Sequence, residues 1–190
     1  MTNEQVLKIF EDSGALWKGH FLLTSGRHSD RYMQCANLFT DPVSTEKLCA
    51  GLAAKLKGTH IDLVASPAVG GIIMGYCLAR RLKVKNIFAE RNSEGKMEFR
   101  RGFAVKPGQK VLIAENVVTT GGSVREVADL VKAAGGEVVA VAAAVDRSAG
   151  KVDFGCPLYP ALSLDVPSWD AADCPLCKAG VPVVKPGSRK

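Results

Sequence analysis

Several things are missing from this 190-residue chain, and each absence narrows the field. No run near 18 apolar residues is free of charge, which argues against a membrane-spanning helix. The opening stretch, MTNEQVLKIFEDSG, has acids early and no small-residue cleavage site. It reads as an amphipathic helix and not as a secretory signal, so a cytoplasmic location is expected. There is no internal repeat and no low-complexity tract. The Walker pattern G-x-x-x-x-G-K-[ST] is absent, and so is G-x-G-x-x-G, because GGIIMG has the wrong spacing. No helix-turn-helix segment and no long basic stripe is found, so neither nucleic acid nor membrane is an expected partner.

The charge that is present is spread out. Lys and Arg number 25 against 19 Asp and Glu, a net +6. One mild cluster holds Arg80, Arg81, Lys83 and Lys85, and is read as serving solubility. Another holds Arg91, Lys96, Arg100 and Arg101, and is read as facing an anionic small substrate such as a phosphate. Six cysteines without a secretory signal are expected to be reduced thiols. Cys49 and Cys77 fall in apolar helical patterns, where cysteine is a small core residue. Cys174-x-x-Cys177 is half a zinc site. Cys156 could add a third ligand but no fourth is evident, so the pair is read as reduced surface or packing thiols. His20, His28 and His60 are read as structural or exposed.

A hydrophobic fraction of 47% with 23% charged residues describes an ordinary globule, and the length suits a single domain, residues 1–190. Residues 3–13 fit a helix stopped by Gly14. Strand-like segments follow through Gly26, and RHSDRYMQCANLF reads as extended. Asp41-Pro42 opens a helix that ends by Gly58. From Ile61 to Arg147 short apolar runs (IDLVAS, NIFAE, KVLIAE, EVVAVAAAVDR) alternate with helical patterns. The runs are continuous and not alternating, the pattern of a parallel sheet covered on both faces. RNSEGKMEFRRGF reads as a polar hairpin or mobile loop, PLYPALSLDV as a last strand, and the Pro- and Gly-rich tail as a surface wrap. The fold class is α/β, with a central mostly parallel sheet and helices on both faces.

The segment VLIAENVVTTGGS, Val111 to Ser123, carries the chemistry. Ligands of open parallel sheets bind beyond the carboxyl ends of the strands, and Glu115-Asn116 stands at such an end. A helix starting near Gly122 or Ser123 offers free N–H groups and the positive end of its dipole. Gly121 and Gly122 allow close backbone approach, and Thr119, Thr120 and Ser123 add hydroxyls. The loop is a candidate cradle for a phosphate monoester, with acidic neighbours suited to ribose hydroxyls.

This segment resembles the signature of the type I phosphoribosyltransferases. GHFLLTSGRHSDRYMQ, AERNSEGKMEFRRGF, AAAVDRS and the tail CPLCKAGVPVVKPGSR are similar to orotate phosphoribosyltransferases. The resemblance implies that fold, with a small hood from about residues 15–40 and the C-terminal segment. It implies transfer of a phosphoribosyl group from 5-phosphoribosyl 1-pyrophosphate to orotate in pyrimidine synthesis. On that reading Glu115, Asn116, Val117, Val118, Thr119, Thr120, Gly121, Gly122 and Ser123 bind the phosphoribosyl group. Arg91 meets pyrophosphate, Thr119 and Arg147 contact orotate, and Tyr32 and Met33 flank the base. Glu115, Asn116 and Arg91 are the catalytic candidates. Mg²⁺ is the implied cofactor, held mainly by substrate and water, so no metal-ligand cluster is expected. A homodimer is implied.

Three positions depart from the family pattern. Asn116 stands where a second acidic residue is usual, and Thr24 and Gly70 stand where lysines are usual. Lys96, Arg100 or Arg101 could replace the missing loop charge. The rival readings are a transferase for a purine or uracil base, and a non-catalytic regulator that senses phosphoribosyl pyrophosphate.

Overall fold

The computed structural model describes residues 1–23 and 25–186. Thr24, one of the three departures from the family pattern, lies outside the described residues, as do residues 187–190 of the tail. The elements run α1 (Asn3–Asp12), β1 (Leu16–Leu22), β2 (His28–Met33), α2 (Cys35–Leu38), α3 (Pro42–Lys55), β3 (Leu63–Pro67) and α4 (Gly71–Leu82). They continue β4 (Lys85–Arg91), β5 (Met97–Phe99), β6 (Lys110–Val118), α5 (Gly122–Ala133), β7 (Glu137–Asp146), β8 (Leu158–Ser163) and α6 (Pro175–Lys178). The main sheet has the order β5-β4-β3-β6-β7-β8, parallel except for β5, which pairs antiparallel with β4. The polar segment after β4 is therefore the hairpin arm, and it closes one edge of the sheet.

Strand alternation divides the core in two. Val64, Leu112, Ala114, Ala140, Ala142 and Ala144 face one way, into a cluster with residues of α1, α3 and α4. Leu63, Ala65, Val111, Ile113, Val141 and Ala143 face the other, under α5. Both sets are buried, so period-2 alternation and unbroken hydrophobicity coexist in the same strands. The helix starts follow their caps. Thr2 and Gln5 form a reciprocal capping box on α1, and the Asp41 carboxylate accepts from the Val43 and Ser44 amides ahead of Pro42.

β1 and β2 form a separate antiparallel hairpin, the hood. The extended reading of residues after Met33 needs correction: Cys35–Leu38 is a turn of helix. Cys35 and Leu38 bury their side chains there, which a continued strand would place on opposite faces. The tail returns to the hood and lies along both of its edges. Trp169 exchanges backbone hydrogen bonds with His28, and Val184 bridges to β1 through the Leu22 amide and His20 carbonyl. Arg27 binds Ser168 and Asp170, and the Ser29 hydroxyl donates to the Pro167 carbonyl at 2.8 Å.

Candidate active site

β6 outruns its neighbour. Its pairing with β3 stops at Ile113, whereas its pairing with β7 continues to Val118. Glu115 and Asn116 are therefore interior to a strand, yet free on the β3 side. Alternation turns Glu115 toward the α5 face and Asn116 toward the α4 face. Each side chain accepts from the next backbone amide: Asn116 N–H donates to Glu115 Oε1 at 2.8 Å, and Val117 N–H to Asn116 Oδ1 at 2.9 Å. The β6–β7 ladder passes over Asn116, so these amides have side-chain partners instead.

A cavity of about 510 Å³ lies beyond this strand. Glu115, Val117 and the run from Thr119 to Val124 line it, with Arg91 and Glu126 at its rim. Gly121 has φ +76° and leads into α5 with no side-chain cap and no acid in the first turn. The first amides of α5 are thus left for a ligand, while α1 and α3 have theirs satisfied. A Cβ on Gly121 would stand 2.7 Å from the Phe154 ring and 2.9 Å from Val152, so glycine is required by space and by φ.

Burial dominates the electrostatics of Glu115. The residue is 6% exposed, and loss of hydration pushes its carboxyl up to about 7, against a smaller opposing effect of the Asn116 amide. No cation pairs with it among the described salt bridges. Arg147 follows the end of β7, its amide bonded to the Val118 carbonyl at 2.8 Å. Its half-buried guanidinium is pulled below its ordinary pKa by desolvation, with Cys35 of α2 and Tyr32 of the hood close enough to oppose that. Its Nε is buried with no hydrogen-bond partner among the described residues. A half-buried cation with an idle donor is costly unless an anion arrives.

Not every expected residue reaches the cavity. Val118 does not: its side chain is 1% exposed in the core beneath α5, and only its carbonyl serves the site, by holding Arg147. Asn116 sits against Gly70 on the other side of the strand and does not line the cavity with Glu115. Met33 lies in the core while Tyr32 stacks near Trp17 and Phe21, so the two cannot flank one base. Arg91 is at the rim of its own chain's cavity, held bidentately by Glu126 at 2.7 and 3.0 Å and bonded to the Gly95 carbonyl. Lys96, Arg100 and Arg101 pair with Glu94, Glu98 and Glu90. Arg27 of the SGR segment serves the tail and not the cavity.

The sequence reading named Gly70 in the turn between β3 and α4 but gave that turn no role in the site. α4 also starts uncapped, at Gly70-Gly71, beyond the carboxyl end of a parallel strand. A Cβ on Gly70 would stand 2.5 Å from the Asn116 amide. The available signal was a Gly-Gly pair directly after an apolar strand, the same signal that marks the α5 loop. The sequence reading gave Cys174 and Cys177 only Cys156 as a further ligand, with no fourth evident, and the structure gives them other neighbours. His20, His28, Cys174 and Cys177 bring four donor atoms within 4.8 Å of one another, away from this cavity. The cysteines' partners are two histidines more than 140 residues upstream, which spacing does not reveal.

Comparison with known proteins agrees with this geometry. Residues 40–156 match the phosphoribosyl transferase domain family. An orotate phosphoribosyltransferase of Carboxydothermus hydrogenoformans is 59% identical over 185 residues, 96% of each chain. The chain belongs to the orotate phosphoribosyltransferase family. Another member, from Thermotoga maritima, is 53% identical over 184 residues, covering 97% of this chain and 98% of its own. The fold is likewise that of the crystallised orotate phosphoribosyltransferase from Aeropyrum pernix, at a TM-score of 0.71 and 23% identity, covering 84% of this chain and 93% of that one. The chain is thus a pentosyltransferase by family. No helix among the described residues is long and apolar enough to cross a membrane.

Proposed function

We propose that the protein transfers the phosphoribosyl group of 5-phosphoribosyl 1-pyrophosphate to orotate, giving orotidine 5'-monophosphate and pyrophosphate, as a cytoplasmic enzyme of pyrimidine synthesis. The observation that carries the choice of base is Arg147. Its guanidinium is poorly solvated, keeps an unused donor, and stands between the hood and the phosphate loop. A planar base bearing a carboxylate satisfies it, whereas uracil and hypoxanthine bring no charge. Full-length relatedness to orotate enzymes supports the same choice over a regulator.

The phosphate of the sugar rests on the amides of Gly122 and Ser123 and on the hydroxyls of Thr119, Thr120 and Ser123. Glu115 holds a ribose hydroxyl from within the strand. Orotate nitrogen displaces pyrophosphate at the anomeric carbon through an oxocarbenium-like state. Ionised Glu115 lies where that positive charge develops, and its poor solvation strengthens the effect. Arg91 serves the departing pyrophosphate once it exchanges Glu126 for phosphate oxygens. The cavity's donors are hard oxygens, with Glu115 its one unpaired carboxylate, and this suits Mg²⁺ carried in largely by substrate and water. When bound, Mg²⁺ neutralises charge on the leaving pyrophosphate.

The protein acts as a homodimer through the outer face of α4. Ile73 and Tyr76 stand three residues apart on α4, with Val69 in the turn just ahead of it, and the three are 48%, 63% and 81% exposed. Tyr76→Glu is expected to elute as a monomer in size-exclusion chromatography, and an unchanged elution volume would remove this face from the interface.

The deciding experiment mixes protein, orotate, phosphoribosyl pyrophosphate and Mg²⁺ and follows loss of orotate absorbance, with uracil and hypoxanthine in parallel. Turnover of orotate alone is expected. Turnover of another base in preference, or no pyrophosphate release together with a salt-sensitive RNA or DNA complex, would refute the assignment.

A further inference from the structure

We propose that His20, His28, Cys174 and Cys177 form a structural zinc site that fastens the C-terminal tail to the hood. The four donors come from two places. A register irregularity between Lys18 and Phe21 makes His20 and Phe21 both buried although adjacent in β1. His20 shares a face with Leu22, whose partner across the hairpin is His28, so the two imidazoles stand on the same side. His20 Nε2 and His28 Nδ1 lie 2.8 Å apart. From the tail, Cys174 stands at the N-cap position of α6 and Cys177 lies within its single turn, and both thiols point at the hairpin. Cys174 Sγ is 3.4 Å from His20 Nε2, and Cys177 Sγ is 3.7 Å from His20 Nε2 and 3.2 Å from His28 Nδ1.

The three sulfur–nitrogen separations, 3.2–3.7 Å, lie near the edges of a zinc tetrahedron, while the 2.8 Å nitrogen–nitrogen separation must open by about half an ångström to admit the ion. Zn–S of about 2.3 Å and Zn–N of about 2.0–2.1 Å imply donor–donor edges of roughly 3.3–3.8 Å. Hydrogen bonding accounts for the cluster less well. His20 Nδ1 is 2.7 Å from the Val181 carbonyl, which can only accept, so Nδ1 carries the proton and Nε2 presents a lone pair. That lone pair faces His28 Nδ1 and two sulfurs at once, and can accept from few of them. A cation at the centre satisfies all four. The Val181 contact is also the outer-shell bond that orients a metal-binding imidazole.

The donor set selects the metal. Two thiolates and two neutral imidazoles suit Zn²⁺ in a closed four-coordinate structural site. Two thiol protons pass to solvent as two Zn–S bonds form, leaving a charge-neutral centre. Neutrality suits a place where His20, His28 and Cys174 are buried. His28 and Cys177 are 149 residues apart, so the ion would close most of the chain into one loop. The tail already lies on both hairpin edges through Trp169 and Val184, and the cluster sits at the corner between them. The hood that carries Tyr32 is thereby held in place. The site is independent of the transferase reading.

The test uses the full-length protein purified without chelator. Elemental analysis is expected to find about one zinc per chain. Cys177→Ser and His28→Asn should lose it, while Cys156→Ser, whose thiol packs on the opposite side of the sheet, should keep it. Wild-type protein stripped and refilled with Co²⁺ should show tetrahedral d–d absorption and a thiolate-to-cobalt charge-transfer band, a readout that needs no variant. Removing zinc should lower the melting temperature by roughly 10 °C, the shift for a ligand held near a thousandfold above its Kd. Wild-type protein that takes up no cobalt, or in which Cys174 and Cys177 are joined as a disulfide, would overturn the proposal.

Discussion

Glu115→Gln offers the sharpest test of the site, because it should stabilise the ligand-free protein while damaging its activity. The carboxyl has an ordinary pKa of 4.5 and is raised to about 7 by burial. Between those values the unfolded chain has released a proton that the folded chain keeps. Stability is therefore full below about 4.5 and falls as pH rises through about 7. Raising the carboxyl from 4.5 to about 7 corresponds to roughly 3 kcal/mol at pH 8 and roughly 1 kcal/mol at pH 5. At 6% exposure solvent screening reduces this little. Glutamine keeps the oxygen that accepts from the Asn116 amide, so only the charge is removed. Urea unfolding without ligands should show the variant more stable than wild type, by about 2 kcal/mol more at pH 8 than at pH 5. In the same variant turnover should fall about 10²–10³-fold. The wild-type kcat/KM should rise with pH through about 7, and the variant should lack that limb. An advantage independent of pH, or a loss of stability at pH 8, would show that Glu115 is not a desolvated carboxylate.

Three further substitutions probe the neighbouring parts. Gly121→Ala must adopt φ +76° and push against Phe154 and Val152, so it should cost about 1–3 kcal/mol in thermal unfolding and raise KM for phosphoribosyl pyrophosphate. Arg147→Met should raise KM for orotate about 10–150-fold, the value of a charge-assisted contact, with KM for phosphoribosyl pyrophosphate little changed in initial-rate assays. Asn116→Asp should leave turnover at pH 8 undiminished and move the acid limb of kcat/KM upward, since a second carboxylate beside Glu115 disfavours its ionisation; a large drop in turnover would show that the amide has its own role.

Much of the sheet was legible because a covered parallel strand has no choice but to be apolar throughout, as in Val111–Ala114 and Val138–Val145. The cradle was legible for a similar reason: an uncapped helix start needs glycine and small hydroxyls, and few other duties select both. What escaped depended on where side chains turn. Sequence adjacency grouped Val118 with the loop and Met33 with Tyr32, but one side chain of each pair belongs to the core. The end of β6 looked nearer than it is because β7 still pairs with Val117 and Val118 beyond Glu115. The pairing of Arg91 with Glu126 joins a strand end to a helix, and the His–Cys cluster joins a hairpin to a distant tail. Such partners are set by the packing of elements, and no local pattern encodes them.

The two described departures from the family pattern meet in space, and this gives them a common physical sense. The family resemblance leads one to expect a lysine at position 70 and an acid at 116; here glycine and asparagine stand there, close together. One positive and one negative charge are absent together, so the local balance is kept. Space explains why neither can be restored alone without adjustment. A Cβ at Gly70 would come within 2.5–2.8 Å of the Asn116 amide, so a lysine stem requires that side chain to move. An acid at 116 without a cation at 70 would add a like charge beside Glu115, whose ionisation burial already opposes. The neutral pair thus leaves Glu115 as the single carboxylate whose protonation matters, and it lets the α4 turn close against β6. On the proposed function, a site with fewer fixed charges would depend more on what the substrate brings with it: phosphate for the α5 amides, a carboxylate for Arg147, and a metal ion for the departing pyrophosphate.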